Sequence, residues 1–193
     1  MTNRNMLEGV ALCSPYAQGD LDNLCGLYAA INAICLVSAP IRPLRHSHIE
    51  VLMAVGVGYL QRRKWLSDAL IRGMTLERQR DLTEHMAEEA GRTTGLKLST
   101  VQLFPKKPKV AKDIVINVIG KSVENGSALV VCFENTLWHY TVLSGLSLDR
   151  IYLFDSVGLH WIKRRSFGIC GMGVQARHCV PLASLIEVRV ILT

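Results

Sequence analysis

The stretch Gln18-Gly19-Asp20-Leu21-Asp22-Asn23-Leu24-Cys25-Gly26-Leu27-Tyr28-Ala29-Ala30-Ile31-Asn32-Ala33-Ile34 decides how this chain is read. A polar, glycine-containing loop runs straight into an apolar helix, and a cysteine sits on the boundary. Cys25, Ala29 and Ala30, and Ala33 fall at i, i+4/i+5 and i+8, so one helix face is small and packs closely. Asp20, Asp22 and Asn23 are good N-cap residues, which places Cys25 in or near the first turn. Unpaired N–H groups and the positive end of the helix dipole favour an anion there. A nucleophilic sulfur needs that setting. The helix is expected to end before Pro40.

Downstream, residues 46–95 keep helical periodicity. Ile49, Leu52, Met53, Gly56 and Leu60 form one apolar stripe, and Leu76, Leu82 and Met86 belong to another. Gly73 and Gly91 are the expected helix ends. Residues 96–103 alternate as a strand does, Pro105 and Pro108 interrupt the chain, and Ala111 to Glu124 reads as one more amphipathic helix closed by Asn125-Gly126. Upstream, Gly9 to Cys13 is a short apolar lead-in with the look of an edge strand.

From Ser127 onward the character is β. Ala128–Phe133 reads as a buried strand, followed by Trp138–Leu143, Arg150–Asp155, His160–Lys163 and Leu185–Ile191, with turns at Gly126, Gly145 and Gly158. The expected fold class is α+β: one domain over residues 1–193, its helical half (about 1–125) facing an antiparallel half (about 126–193). A cleft between two such halves is the natural place for a site.

The 193 residues, 49% hydrophobic and 20% charged, suit a single packed core without long disordered segments. Residues Met1 to Asn5 lead into no long apolar run, so no signal peptide is expected. The apolar runs around 31–37 and 51–60 are too short or interrupted to span a bilayer, which makes the cytoplasm the expected location. The six cysteines contain no C-x-x-C pair and carry no export signal that would argue for disulfides. Sets such as Cys170, His178 and Cys179, or His46 and His48, lack the paired short spacings of a zinc module, so no metal is expected. The formal charge of +6 collects in Arg62-Arg63-Lys64, Lys106-Lys107-Lys109 and Lys163-Arg164-Arg165. These clusters suit an acidic protein partner, whereas no nucleic-acid motif or aromatic stacking series accompanies them.

A cysteine nucleophile wants a histidine to hold its proton and a third polar group to orient the ring. His139, in a β run between Trp138 and Tyr140, is the best of the six histidines, and alternation turns it away from both aromatics. Asp155 ends the following strand, and a separation of sixteen positions fits two adjacent antiparallel strands. Gln18, seven residues before Cys25, is placed to form an oxyanion hole with the Cys25 backbone N–H. Asn135 and Ser156 are substitutes for the orienting role, and His160 is a rival base. Singly, each residue has a plainer reading: Cys25 as a packing thiol, His139 as a bonded core histidine, Asp155 as a turn residue. Their conjunction in this order is what points to catalysis.

Gln18, the segment Asp22 to Ala29, Trp138-His139-Tyr140 and Leu153-Phe154-Asp155-Ser156 together resemble a papain-fold cysteine peptidase. The resemblance is nearest to compact bacterial members, the bacteriocin-leader-processing and staphopain-like types. It implies a papain-like fold, with a central Cys-bearing helix packed on a C-terminal antiparallel sheet. It also implies catalytic Cys25, His139 and Asp155, with Gln18 in the oxyanion hole. Gly26 follows the nucleophile where papain has a bulky residue, and the third member is Asp where plant enzymes have Asn.

The implied activity is hydrolysis of a peptide or protein substrate through a thioester, with no metal or organic cofactor. The same triad serves a deamidase or acyltransferase, and the same scaffold with a closed site serves as a binding module docking an acidic partner.

Overall fold

A computed structural model describes residues 4–19, 22–105, 109–135, 137–172 and 176–191. Its helices are α1 (Cys25–Ser38), α2 (His46–Arg62), α3 (Leu66–Arg72), α4 (Leu76–Thr94) and α5 (Lys112–Glu124). Its strands are β1 (Asn5–Met6), β2 (Leu98–Gln102), β3 (Ala128–Asn135), β4 (His139–Leu146), β5 (Arg150–Phe154), β6 (Trp161–Lys163), β7 (Phe167–Ile169), β8 (His178–Val180) and β9 (Ile186–Val190). The fold is α+β. The main sheet runs β2-β9-β3-β4-β5-β6, antiparallel throughout; β1 adds to β4, and β8 joins the far end of β3 and pairs in parallel with β7.

α1 is the centre of the molecule. Every residue in it except Tyr28 is buried, as expected of a helix that is apolar on all sides. Leu27, Ile31, Ile34 and Leu36 are among the largest fully buried side chains, each contributing about 2 kcal/mol by removal from water. α1 lies on the sheet face formed by Ala128, Val130, Cys132, Tyr140, Val142 and Val188, with α2 and α4 behind it. The alternate residues Leu129, Val131 and Phe133 point to the opposite face, where α5 packs with Val115, Ile116 and Ile119. Burial on both faces explains why β3 reads as an unbroken apolar run.

The two halves therefore do not simply face each other. α5 covers the other side of the sheet, and β2 from the helical half supplies its outer strand beside β9. The lead-in Gly9 to Cys13 is not an edge strand. It is a 3-10 turn over Glu8–Ala11, closed by bonds from the Leu12 and Cys13 N–H groups to the Gly9 carbonyl, and the edge strand is Asn5–Met6 instead. Gly73 ends α3 as expected, but Gly91 lies inside α4. That helix stops at Gly95, whose left-handed φ of 74° suits a residue without a Cβ. Gly145 sits within β4 at a register shift against β5, and the turn comes later, around Ser147 to Asp149. Strands β7 and β8 had no counterpart in the sequence reading. Pro108, Lys106 and Lys107 lie outside the described residues. No helix among the described residues is long and apolar enough to cross a membrane.

Candidate active site

Cys25 opens α1, and the start of that helix is built by its neighbours rather than by a conventional cap. Leu24 occupies the N-cap position without a side-chain bond. Asp22 Oδ1 instead accepts the Leu24 N–H at 2.9 Å, turning the chain into the helix, and Asn23 donates to the Leu70 and Ile71 carbonyls at the end of α3. Asp20, the other expected cap, lies outside the described residues. Gly26 is required by packing. The buried Gln79 of α4 donates to the Gly26 carbonyl at 2.9 Å. A Cβ on Gly26 would come 2.0 Å from Gln79 Oε1 and 2.4 Å from Met74 Cε. The helix start is thus pinned from two sides, and Cys25 is left 8% exposed.

His139 begins β4. Trp138 just before it adopts a left-handed φ of 45° and is 71% exposed, so it belongs to the turn and not to the alternating strand. Tyr140 behaves as expected, buried against α1 on the face opposite His139. In the β4–β5 hairpin Val142 pairs with Phe154. Asp155 is thereby set diagonally across from His139 on the same face, within side-chain reach. Their side chains meet: His139 Nε2 and Asp155 Oδ2 are 2.7 Å apart, and the aspartate side chain is fully buried. Asp155 Oδ1 accepts the Val157 and Leu159 N–H groups at 2.8 and 3.1 Å, which locks the carboxylate in place.

The electrostatics follow from these contacts. Burial works against a charged His139, but the Asp155 hydrogen bond and the Cys25 sulfur, acting as an anionic partner, outweigh it, lifting the imidazole from its ordinary value to about 9. Burial likewise opposes a charged Asp155, yet the His139 bond and the Val157 N–H hold its carboxyl below the usual range. With Nε2 committed to Asp155, Nδ1 is the nitrogen left for Cys25. Burial pushes the thiols of Cys35 and Cys132 up to about 12, and raises those of Cys13 and Cys170.

Gln18 reaches the same neighbourhood through the backbone: its N–H donates to the Ser156 carbonyl at 2.8 Å. Its Nε2 donates to the Asp22 carbonyl at 2.5 Å, while Oε1 is buried without a partner. An amide carries two N–H donors, so this bond anchors the side chain and leaves one donor for another acceptor. The rivals are otherwise placed. Asn135, two residues beyond the Phe133 that pairs with His139, donates to the Ala176 carbonyl, and His160 is exposed. Ser156 is buried, with its carbonyl taken by Gln18 and its hydroxyl unpartnered.

One supporting residue was missed. Asn32, fully buried on α1, accepts the Tyr16 N–H at 2.7 Å and donates to the Tyr16 carbonyl at 3.2 Å, clamping the loop that leads to Gln18. The available signal was a lone amide in an otherwise apolar helix. No protein-family model matches the chain, and no curated protein matches it.

Proposed function

We propose that this protein is a papain-like cysteine peptidase in which Cys25, His139 and Asp155 form the catalytic triad and Gln18 supplies an oxyanion donor. The observation that carries the reading is the buried His139–Asp155 pair, 2.7 Å apart, whose imidazole is raised further by the sulfur of Cys25 at the start of α1. In the proposed reaction the Cys25 sulfur attacks an amide carbonyl with its proton held on His139. The tetrahedral oxyanion is met by the Cys25 N–H and the second Gln18 Nε2–H, each worth ~3 kcal/mol in such sites. His139 protonates the leaving amine, and water then releases the acyl group from the thioester. The papain-like layout is supported by a cysteine on a central buried helix and a histidine and aspartate on one hairpin of the sheet.

A second reading keeps the papain-like scaffold as a binding module with its triad closed. The low exposure of Cys25 and of the His139 side chain, 8% and 10%, favours it. Incubation with a peptide mixture and mass spectrometry of the products separates the two. Cleaved backbones that disappear in Cys25→Ser support the peptidase, and a gain of about one mass unit at Gln indicates deamidation by the same thioester chemistry. An unchanged mixture supports the binding module.

A further inference from the structure

At the opposite end of β5 from Asp155, the fold gathers cations that are scattered in the sequence. Lys112 of α5, Arg150 of β5 and the run Lys163-Arg164-Arg165 line one cavity of about 600 Å³, whose acids among the described residues are Asp113 and Asp149. Five positive charges stand against two. Asp149 lies 3.5 Å from Arg150, and Lys112 donates to the Arg164 carbonyl. The side chains of Lys163, Arg164 and Arg165 make no ion pair or hydrogen bond among the described residues.

Apolar surface accompanies the charge. Trp161 is 40% exposed with the Arg150 guanidinium 4.0 Å from its ring centre, and Leu148 beside it is 81% exposed. The cavity flanks β6, the last strand of the main sheet, which has β5 on one side and no strand on the other among the described residues. From Arg150 to Asp155 along β5 is roughly 16 Å at the usual strand rise, so this surface is separate from the proposed triad.

We propose that this cavity docks an acidic segment of a partner protein, carrying successive carboxylates and an aliphatic or aromatic residue. Arg150 and Lys163 sit side by side across the β5–β6 pair, and Arg164 and Arg165 follow in the turn after β6, which suits charges carried at intervals on an extended chain. The exposed Trp161 and Leu148 give an apolar residue of that chain a place to pack. Asp113 and Asp149 oppose a densely charged polyphosphate. Unpaired cations on a rim act through long-range attraction and fast encounter, so binding weakens as salt rises.

The test is fluorescence titration of the whole protein with a labelled peptide of consecutive glutamates ending in leucine. A peptide with lysine in place of glutamate, inorganic phosphate and a single-stranded oligonucleotide serve as comparisons. We expect saturable binding of the acidic peptide alone, weakened by salt, and reduced on the order of tenfold or more (about 1.4 kcal/mol) in Lys163→Glu/Arg165→Glu. Both of those residues are exposed, so the variant should melt with the wild type. Trp161→Ala should also bind more weakly. Equal affinity in the charge-reversed variant, no binding at low salt, or tighter binding of the oligonucleotide or phosphate overturns the proposal. None of these outcomes depends on Cys25 chemistry.

Discussion

Replacing Asp155 by Asn probes the proposed triad at its buried end. The Val157 and Leu159 N–H groups both claim Oδ1. In the variant the amide oxygen takes that place, and the NH₂ group turns to His139 Nε2. The ring nitrogen must then accept, so the neutral imidazole carries its proton on Nδ1, the side that serves Cys25. Its surroundings lift the wild-type imidazole from an ordinary 6.5 to about 9, which corresponds to roughly 3 kcal/mol. Asp155 leads the groups that raise it and Cys25 follows. The variant midpoint should therefore fall by at least about one unit, or ~1.4 kcal/mol, and turnover should fall by orders of magnitude because the base presents the wrong tautomer. The assay is heteronuclear NMR of histidine-labelled protein from pH 5 to 10, with His139 assigned by its loss in His139→Gln. A variant midpoint still near the wild-type value would show that Asp155 does not hold the proton.

Three further predictions rest on separate contacts. His139 is raised, so its contribution to stability is full below about pH 6.5 and is lost as pH rises through about 9. Asp155 is depressed, so its contribution is present above its ordinary 3.8 and is lost as pH falls through its lower folded value. Denaturant unfolding against pH should give a plateau between these limits, and one that stays flat up to pH 10 contradicts the His139 assignment. Gly26→Ala forces a Cβ into Gln79 and Met74 and should cost about 1–3 kcal/mol, measured as a shift in denaturation midpoint; no shift would mean the helix start is not tightly packed. Asn32→Ala leaves the Tyr16 N–H and carbonyl without their partner, at about 1–3 kcal/mol for each group stranded. Hydrogen exchange should show faster exchange of the Tyr16 amide, and unchanged protection would remove the clamp.

The parts of this fold that were legible are those whose chemistry repeats over many residues. α1 announced itself by an apolar run broken by Asn32 alone over several turns, and β3 by a long apolar run. The His139–Asp155 hairpin was readable because two strands and their spacing agree. Other features depend on partners distant in the chain. The amphipathic pattern of α5 shows that one stripe is buried but not which sheet face receives it. β7 and β8, three residues each, are too short for alternation to register. Trp138 looked like a strand residue because its left-handed backbone leaves no trace in side-chain type. Gly26 departs from papain, and its reason, Gln79 on α4, lies 53 residues away. The anchoring of Gln18 by the Asp22 carbonyl is a backbone contact that residue identities do not encode.

The most direct measurement is the rate of iodoacetamide labelling at each cysteine at neutral pH, followed by peptide mapping. Cys25 is only 8% exposed, so accessibility alone ranks it below the half-buried Cys13 and Cys170. A thiol activated by His139 should nevertheless label first, and His139→Ala should slow Cys25 while leaving Cys13 and Cys170 unchanged. Labelling that follows exposure, with Cys25 slow in both proteins, would contradict the proposed pairing of Cys25 with His139.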